Sequence, residues 1–183
     1  FDLLPFEAAV AYGQELRRRQ LECIAKRKPG VHIVALPKSA SGYLSNTVSL
    51  VLDVPVARSS MVCRTPTSAL DYFVVETWAR LVAQGGCVTH EHVGPSHGNL
   101  EILEECGVRK LIVQIRDPRA SLFSLYHHMF GSDPPSETIP PLGSFAREYY
   151  GHLVNWLDGW IQYEGRSDRQ LDLYFLNYES IRT

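Results

Sequence analysis

The stretch Val31-His32-Ile33-Val34-Ala35-Leu36-Pro37-Lys38-Ser39-Ala40-Ser41-Gly42-Tyr43, continued by a helical pattern to Leu52, decides the fold. Its opening run is short, apolar and β-branched and stops at Pro37, which suits a strand buried on both faces. Beyond the turn, Leu44, Val48, Val51 and Leu52 recur at spacings of three and four, and Ser41-Gly42 sits where the helix should begin. Strand, tight turn and helix thus follow directly upon one another.

The same unit recurs further along. Lys110-Leu111-Ile112-Val113-Gln114-Ile115-Arg116 reads as a strand, and Asp117-Pro118 supplies a cap and a first-turn proline for a helix through about Phe130. Cys87-Val88-Thr89-His90 reads as another strand, and Leu171-Asp172-Leu173-Tyr174-Phe175-Leu176 alternates like a further one. Helical periods are read over residues 67–83, through Leu70, Val74, Trp78 and Leu81, over 99–106 and over 144–163, with a proline-rich loop over 131–141. Strands alternating with helices imply an α/β domain of three layers, α/β/α, around a central parallel sheet. Such sheets bind ligands at the carboxyl ends of their strands, here the residues just after Leu36, Val88, Ile115 and Leu176.

Composition narrows the partners. The chain has 183 residues, 45% hydrophobic and 21% charged, and 18 basic against 20 acidic residues leave a formal charge of −2. That is too little asymmetry to coat nucleic acid or an anionic membrane, so an anion site has to be local. No apolar run approaches the length of a membrane span, and no signal pattern opens the chain. Cys23, Cys63, Cys87 and Cys106 are scattered without metal-finger spacing and read as reduced, buried thiols of a cytoplasmic protein. The chain reads as one domain over 1–183. It opens on Phe1 and stops just after a strand-like run, which suggests a domain cut short at its C-terminus.

Residues 37–43 form a phosphate cradle by type: small residues let backbone N–H groups approach an anion, a helix N-terminus adds partial positive charge, and Lys38 adds a full one. The lysine precedes Gly42, so the common P-loop order G-x-x-x-x-G-K-[ST] is absent and a generic nucleoside triphosphatase is disfavoured. In Arg116-Asp117-Pro118-Arg119-Ala120-Ser121-Leu122-Phe123-Ser124, an arginine fork at a strand end precedes a hydroxyl two helical turns on, a pairing suited to a second phosphate. Arg116 paired to a neighbouring carboxylate is the bland alternative for that cluster.

Taken together, Lys38-Ser39 followed by small residues and Tyr43, the Arg116 to Ser124 cluster, Thr89-His90-Glu91-His92 and Leu176-Asn177-Tyr178-Glu179 resemble, in order, the landmarks of the sulfotransferase family. That family takes its sulfuryl group from 3′-phosphoadenosine 5′-phosphosulfate (PAPS) and releases 3′-phosphoadenosine 5′-phosphate (PAP). The resemblance implies a P-loop-like topology and assigns Lys38 to the bridging oxygen and 5′-phosphate, and Ser39, Ala40, Ser41 and Gly42 to the 5′-phosphosulfate loop. It likewise gives the adenine to Tyr43 and Tyr178, and the 3′-phosphate to Arg116 and Ser124. Ala40 and Gly42 stand where the family more usually has Gly and Thr. The family normally completes its donor site with a C-terminal Arg-Lys-Gly-type segment, and none follows Tyr178.

Sulfuryl transfer to an alcohol needs a base of near-neutral pKa, and His90 and His92 both qualify. His92, followed by Val93-Gly94-Pro95, better matches the family's His-x-Pro context and is ranked first. A zinc site of His90, His92 and His97 lacks a complementary ligand cluster, so no metal is expected. The implied function is transfer from PAPS to a hydroxyl of a small-molecule, lipid or carbohydrate acceptor. The alternatives are a non-catalytic nucleotide-binding module and, more remotely, a small-molecule kinase. His127 and His128 read as an exposed helical pair, with a smaller part of the weight on an acceptor entrance, and Tyr149, Leu153, Trp156, Trp160 and Tyr163 read as a core stripe.

Overall fold

The computed structural model describes residues 6–62, 72–131 and 136–181, leaving the side chains of Phe6 and Val62 aside. Its elements are α1 (Phe6–Ala25), β1 (Val31–Ala35), α2 (Ser41–Leu52), β2 (Val56–Ala57), β3 (Ser60–Val62), β4 (Tyr72–Val74), α3 (Glu76–Val82), β5 (Val88–Glu91), α4 (His97–Glu105), β6 (Lys110–Ile115), α5 (Pro118–Phe130), α6 (Leu142–Glu164), β7 (Asp172–Asn177) and α7 (Tyr178–Ile181). Five strands make one parallel sheet in the order β2-β5-β1-β6-β7, with β3 and β4 an antiparallel pair beside it. The α/β class and the central parallel sheet flanked by helices are as the sequence implies.

Strand alternation sorts β1 between two cores. Ile33 and Ala35 pack with Cys23 of α1, Leu44, Val48 and Leu52 of α2, and Val88 of β5. Val34 and Leu36 face the other way, into the larger core with Leu111 and Val113 of β6 and the inner faces of α4, α5 and α6. The aromatic stripe of α6 is core: Phe145, Tyr149, Leu153, Trp156, Trp160 and Tyr163 are all buried. Because both faces are covered, β1 is apolar except at His32 rather than alternating. With β5 on one side of β1 and β6 on the other, chain order reverses at β1. A crevice opens at such a switch point, at the carboxyl ends of the strands.

One expectation fails. The helix read over 67–83 forms only in its second half: Tyr72–Val74 is strand β4, paired with β3, and only Glu76–Val82 is helical. The part over 67–71 lies outside the described residues. The apparent period was coincidental, since Trp78 and Leu81 of that stripe are exposed while Ala79 and Val82 are buried. β-branched and aromatic residues at Tyr72-Phe73-Val74-Val75 favour the extended form once β3 offers a partner.

Cys23, Cys87 and Cys106 are free, the first two buried, and burial pushes the Cys87 thiol up to about 12, leaving it unreactive at neutral pH. Cys63 lies outside the described residues. Among the described residues, no helix is long and apolar enough to cross a membrane.

Trp160, fully buried, sits between Trp156 and Tyr163 in the larger core. Trp160→Ala should cost about 3–5 kcal/mol of unfolding free energy, read as a lowered urea midpoint, because so large a void collapses only in part.

Candidate functional site

A cleft of about 540 Å³ lies at the carboxyl edge of the sheet, lined by Pro37, Lys38, Ala40, Ser41 and Gly42 after β1, Tyr72 of β4, His92 after β5, Arg116 after β6, Ser124, Leu125 and His128 of α5, and Tyr178 after β7. It draws on the ends of β1, β5, β6 and β7, as the topology requires.

The turn after β1 is held in an unusual shape. Lys38 and Ala40 both have φ of 64°, a left-handed conformation that side-chain-bearing residues seldom adopt. Alternation of this kind turns successive N–H groups toward one point and makes an anion-binding concavity. Ala40 is the N-cap residue of α2 and has no side chain able to cap it, and the first turn carries no acidic residue. The leading N–H groups of a helix have no intrahelical acceptor, so those at Ser41 and Gly42 are left for a ligand. Ser39 turns inward: its hydroxyl donates to the Leu36 carbonyl at 2.6 Å, and the side chain is buried beneath the cleft rather than in it.

Two side chains of the neighbouring strand region fix this turn. Gln114 Nε2 donates to the Ser39 carbonyl at 2.5 Å, and Arg116 donates through one terminal nitrogen to the Lys38 carbonyl at 2.7 Å. The Arg116 guanidinium also stacks over the Tyr178 ring, 4.4 Å from its centroid. No carboxylate pairs with Arg116, and its Nε–H is buried without an acceptor among the described residues. A cation that lines a cleft and has no carboxylate partner among the described residues suits an anionic ligand there. Ser124 lies in the same wall.

The two candidate bases separate. His92 lies beyond the end of β5, free of strand alternation, and enters the cleft. Its Nδ1 lies 2.7 Å from the Ala35 carbonyl, so that nitrogen donates and Nε2 keeps its lone pair. Burial is the main cause holding this imidazole below its ordinary value, the Ala35 bond opposes it, and the nearby Arg58 and Lys38 charges add to the lowering. Tyr72 packs edge-on against His92 with ring centroids 5.4 Å apart. His90 belongs to β5, does not line the cleft, and has a buried Nδ1 without a partner among the described residues. Burial lowers its pKa as well.

Tyr43 also falls outside the main cleft. It is 67% exposed and lines a smaller adjoining pocket of about 290 Å³ with Ala40, Leu44, Gln114, Tyr178 and Ile181. Ala40 and Tyr178 border both spaces. Among the described residues no three His, Cys, Asp or Glu side chains gather where they could hold a metal ion.

Sequence reasoning passed over two polar anchors. Glu91 is 2% exposed, accepting from Ser59 N at 2.8 Å and from the Ser60 hydroxyl at 2.7 Å, while Asn99 accepts from Val74 N and donates to the Tyr72 and Gly94 carbonyls, each at 3.0 Å. Together they pin the β3–β4 pair that carries Tyr72 to His92.

No family model matches the chain, and no curated protein matches it. Among solved structures it is similar to mouse sulfotransferase SULT7A1 complexed with PAP, with a TM-score of 0.56 and 15% identity over 91% of this chain. The chain spans 58% of that neighbour's length. At this identity the likeness is one of fold.

The turn geometry carries its own test. Ala40→Gly removes the left-handed strain and should raise unfolding free energy by about 1 kcal/mol, whereas Ala40→Val should lower it by about as much or more, both read from urea midpoints.

Proposed function

We propose that the protein is a sulfotransferase that moves a sulfuryl group from PAPS to a hydroxyl acceptor. The observation that carries the reading is the pairing, in one cleft, of an uncapped left-handed turn plus Lys38 and Arg116 with a histidine whose Nε2 is held free. The first half suits a polyanion, and the second suits proton removal. The fold shared with a PAP-bound sulfotransferase supports it.

In this reading the amides of Ser41 and Gly42 hold the 5′-phosphosulfate, Arg116 and Ser124 hold the 3′-phosphate, and the adenine lies in the adjoining pocket between Tyr43 and Tyr178. The donor supplies an activated sulfur bonded to a phosphate oxygen. His92 Nε2 takes the acceptor's hydroxyl proton as the acceptor oxygen bonds to sulfur. The bond from sulfur to the bridging oxygen breaks in line, and Lys38 neutralises the charge that gathers on that oxygen as it departs with PAP. The Ala35 carbonyl fixes the imidazole tautomer, and Tyr72 packs against the ring and shields it from water. His90, in the strand behind, has no part in these steps.

Turnover of PAPS, followed as sulfated product, tests the roles. Lys38→Ala should lower kcat by about 10²-fold or more, and Arg116→Ala should weaken PAP binding. His92→Ala should spare PAP affinity and lower kcat by about 10²–10⁴-fold. Full activity of the His92 variant would remove it as the base.

The pH profile follows from the lowered imidazole value. A base acts when deprotonated, so kcat/KM should be flat through neutrality and fall on acidification with an apparent pKa below the ordinary 6.5 or so of histidine. A midpoint above that value would contradict His92 as a buried, neutral base.

A further inference from the structure

The strand order β2-β5-β1-β6-β7 sorts the groups at the carboxyl edge by side. The donor roles proposed above, on which this inference rests, fall to residues that follow β1, β6 and β7, and the base His92 follows β5. The end of β2 lies beyond His92 from all of the donor groups. β2 runs parallel to β5 with Ala57 opposite Thr89, so Arg58, the next residue, leaves the sheet at that same edge, level with His90.

The Arg58 charge is only partly matched. Its side chain is 67% exposed and makes no hydrogen bond among the described residues. The Glu91 carboxylate stands 3.9 Å away, beyond hydrogen-bond length, and already accepts from Ser59 N and from the Ser60 hydroxyl. Burial pushes that carboxyl up from its ordinary value, and the Ser60 and Ser59 bonds oppose the push more than Arg58 does. The field of Arg58 reaches the cleft wall. Burial is the main cause that raises Tyr72 and lowers His92, and the Arg58 charge opposes the first shift and adds to the second. Tyr72 and His92 both line the cleft and pack edge-on, whereas Arg58 stands outside the lining, at the β2 end of the edge.

The acceptor hydroxyl has to lie within hydrogen-bond reach of His92 Nε2. With the donor on the β1 and β6 side, the body of the acceptor extends past His92 and along Tyr72, toward the end of β2. A negative group on that body is repelled by the polyanionic donor and attracted by a guanidinium on the opposite side; an uncharged body gains nothing from that guanidinium.

We propose that Arg58 is a specificity residue of the acceptor site, pairing with an anionic group, a carboxylate or phosphate, at the end of the acceptor remote from its reacting hydroxyl. The guanidinium fork matches the oxygens of either group. The acceptor class is then a hydroxyl compound that also carries an acid, rather than a neutral alcohol.

The test uses the full chain, PAPS and three acceptor bodies, a phenol, a straight-chain alcohol and a monosaccharide, each carrying a carboxylate, a phosphate monoester or a neutral amide. In the bodies that turn over, an anionic form should exceed the amide in kcat/KM by about tenfold or more, and the better of the two names the group. Arg58→Gln should remove most of that preference through KM, Arg58→Lys should keep part of it, and PAP affinity should stay within about twofold in both. An unchanged preference in Arg58→Gln overturns the proposal. Equal losses on charged and neutral acceptors overturn it too, and would make Arg58 a brace for Glu91. So does a loss of PAP affinity that matches the loss of turnover, which would assign the guanidinium to the donor. Sulfation of amides as fast as acids overturns this inference alone, whereas PAP binding without turnover of any acceptor overturns the transfer reaction with it.

Discussion

The site depends on β6 holding the turn that follows β1. Gln114 and Arg116 each donate to a backbone carbonyl of that turn, at Ser39 and Lys38, while the Leu36 amide donates to the Gln114 carbonyl at 2.9 Å. These bonds oppose the relaxation of two non-glycine residues from the left-handed region, a strain of about 1–2 kcal/mol each. What the strain secures is direction: the amides at the start of α2 point into the cleft instead of being capped from within. Arg116 both braces the turn and lines the cleft, so its positive charge is available there.

The other wall is held mainly by hydrogen bonds to buried polar anchors, with Arg58 3.9 Å from the Glu91 carboxylate. The Ala35 carbonyl sets the His92 tautomer from the end of β1, the strand that also launches the turn, so the turn and His92 share a single rigid support. Trp156 Nε1 donates to the Val93 carbonyl at 2.9 Å, and Gly159 of α6 allows Pro95 to approach its backbone. The segment just past His92 is thereby locked onto α6. Glu91 and Asn99 hold β3 and β4 from the opposite side. Mobility of His92 is limited on each flank, as the role proposed for it in an in-line transfer requires.

Much of this was legible in the residues, for identifiable reasons. The β-branched run ending at Pro37 and the Ser41-Gly42 start give β1 and α2, and α2 spans Ser41–Leu52 as its spacing indicates. The Asp117-Pro118 signal likewise marks the start of α5, where the Asp117 side chain accepts from Arg119 N. The strands β2, β3 and β4 are two or three residues long and have no period to detect; their pairing partners, not their composition, make them strands. Strand alternation cannot separate His90 from His92, and what separates them is that β5 ends between the two, at Glu91. Gln114 did leave a signal: a lone polar residue inside an apolar run is a buried group with an obligation to a partner. Glu91 left none, since a charged residue flanked by histidines reads as exposed.

On the proposed function, the cleft takes a nucleotide bearing both a 5′- and a 3′-phosphate, without metal. Calorimetric titration with PAP and, separately, with ATP plus magnesium tests it most directly. The expected result is saturable PAP binding that is indifferent to chelator and weakened by Arg116→Ala, with ATP binding far more weakly; preference for ATP, or no binding of PAP, would contradict the proposed function.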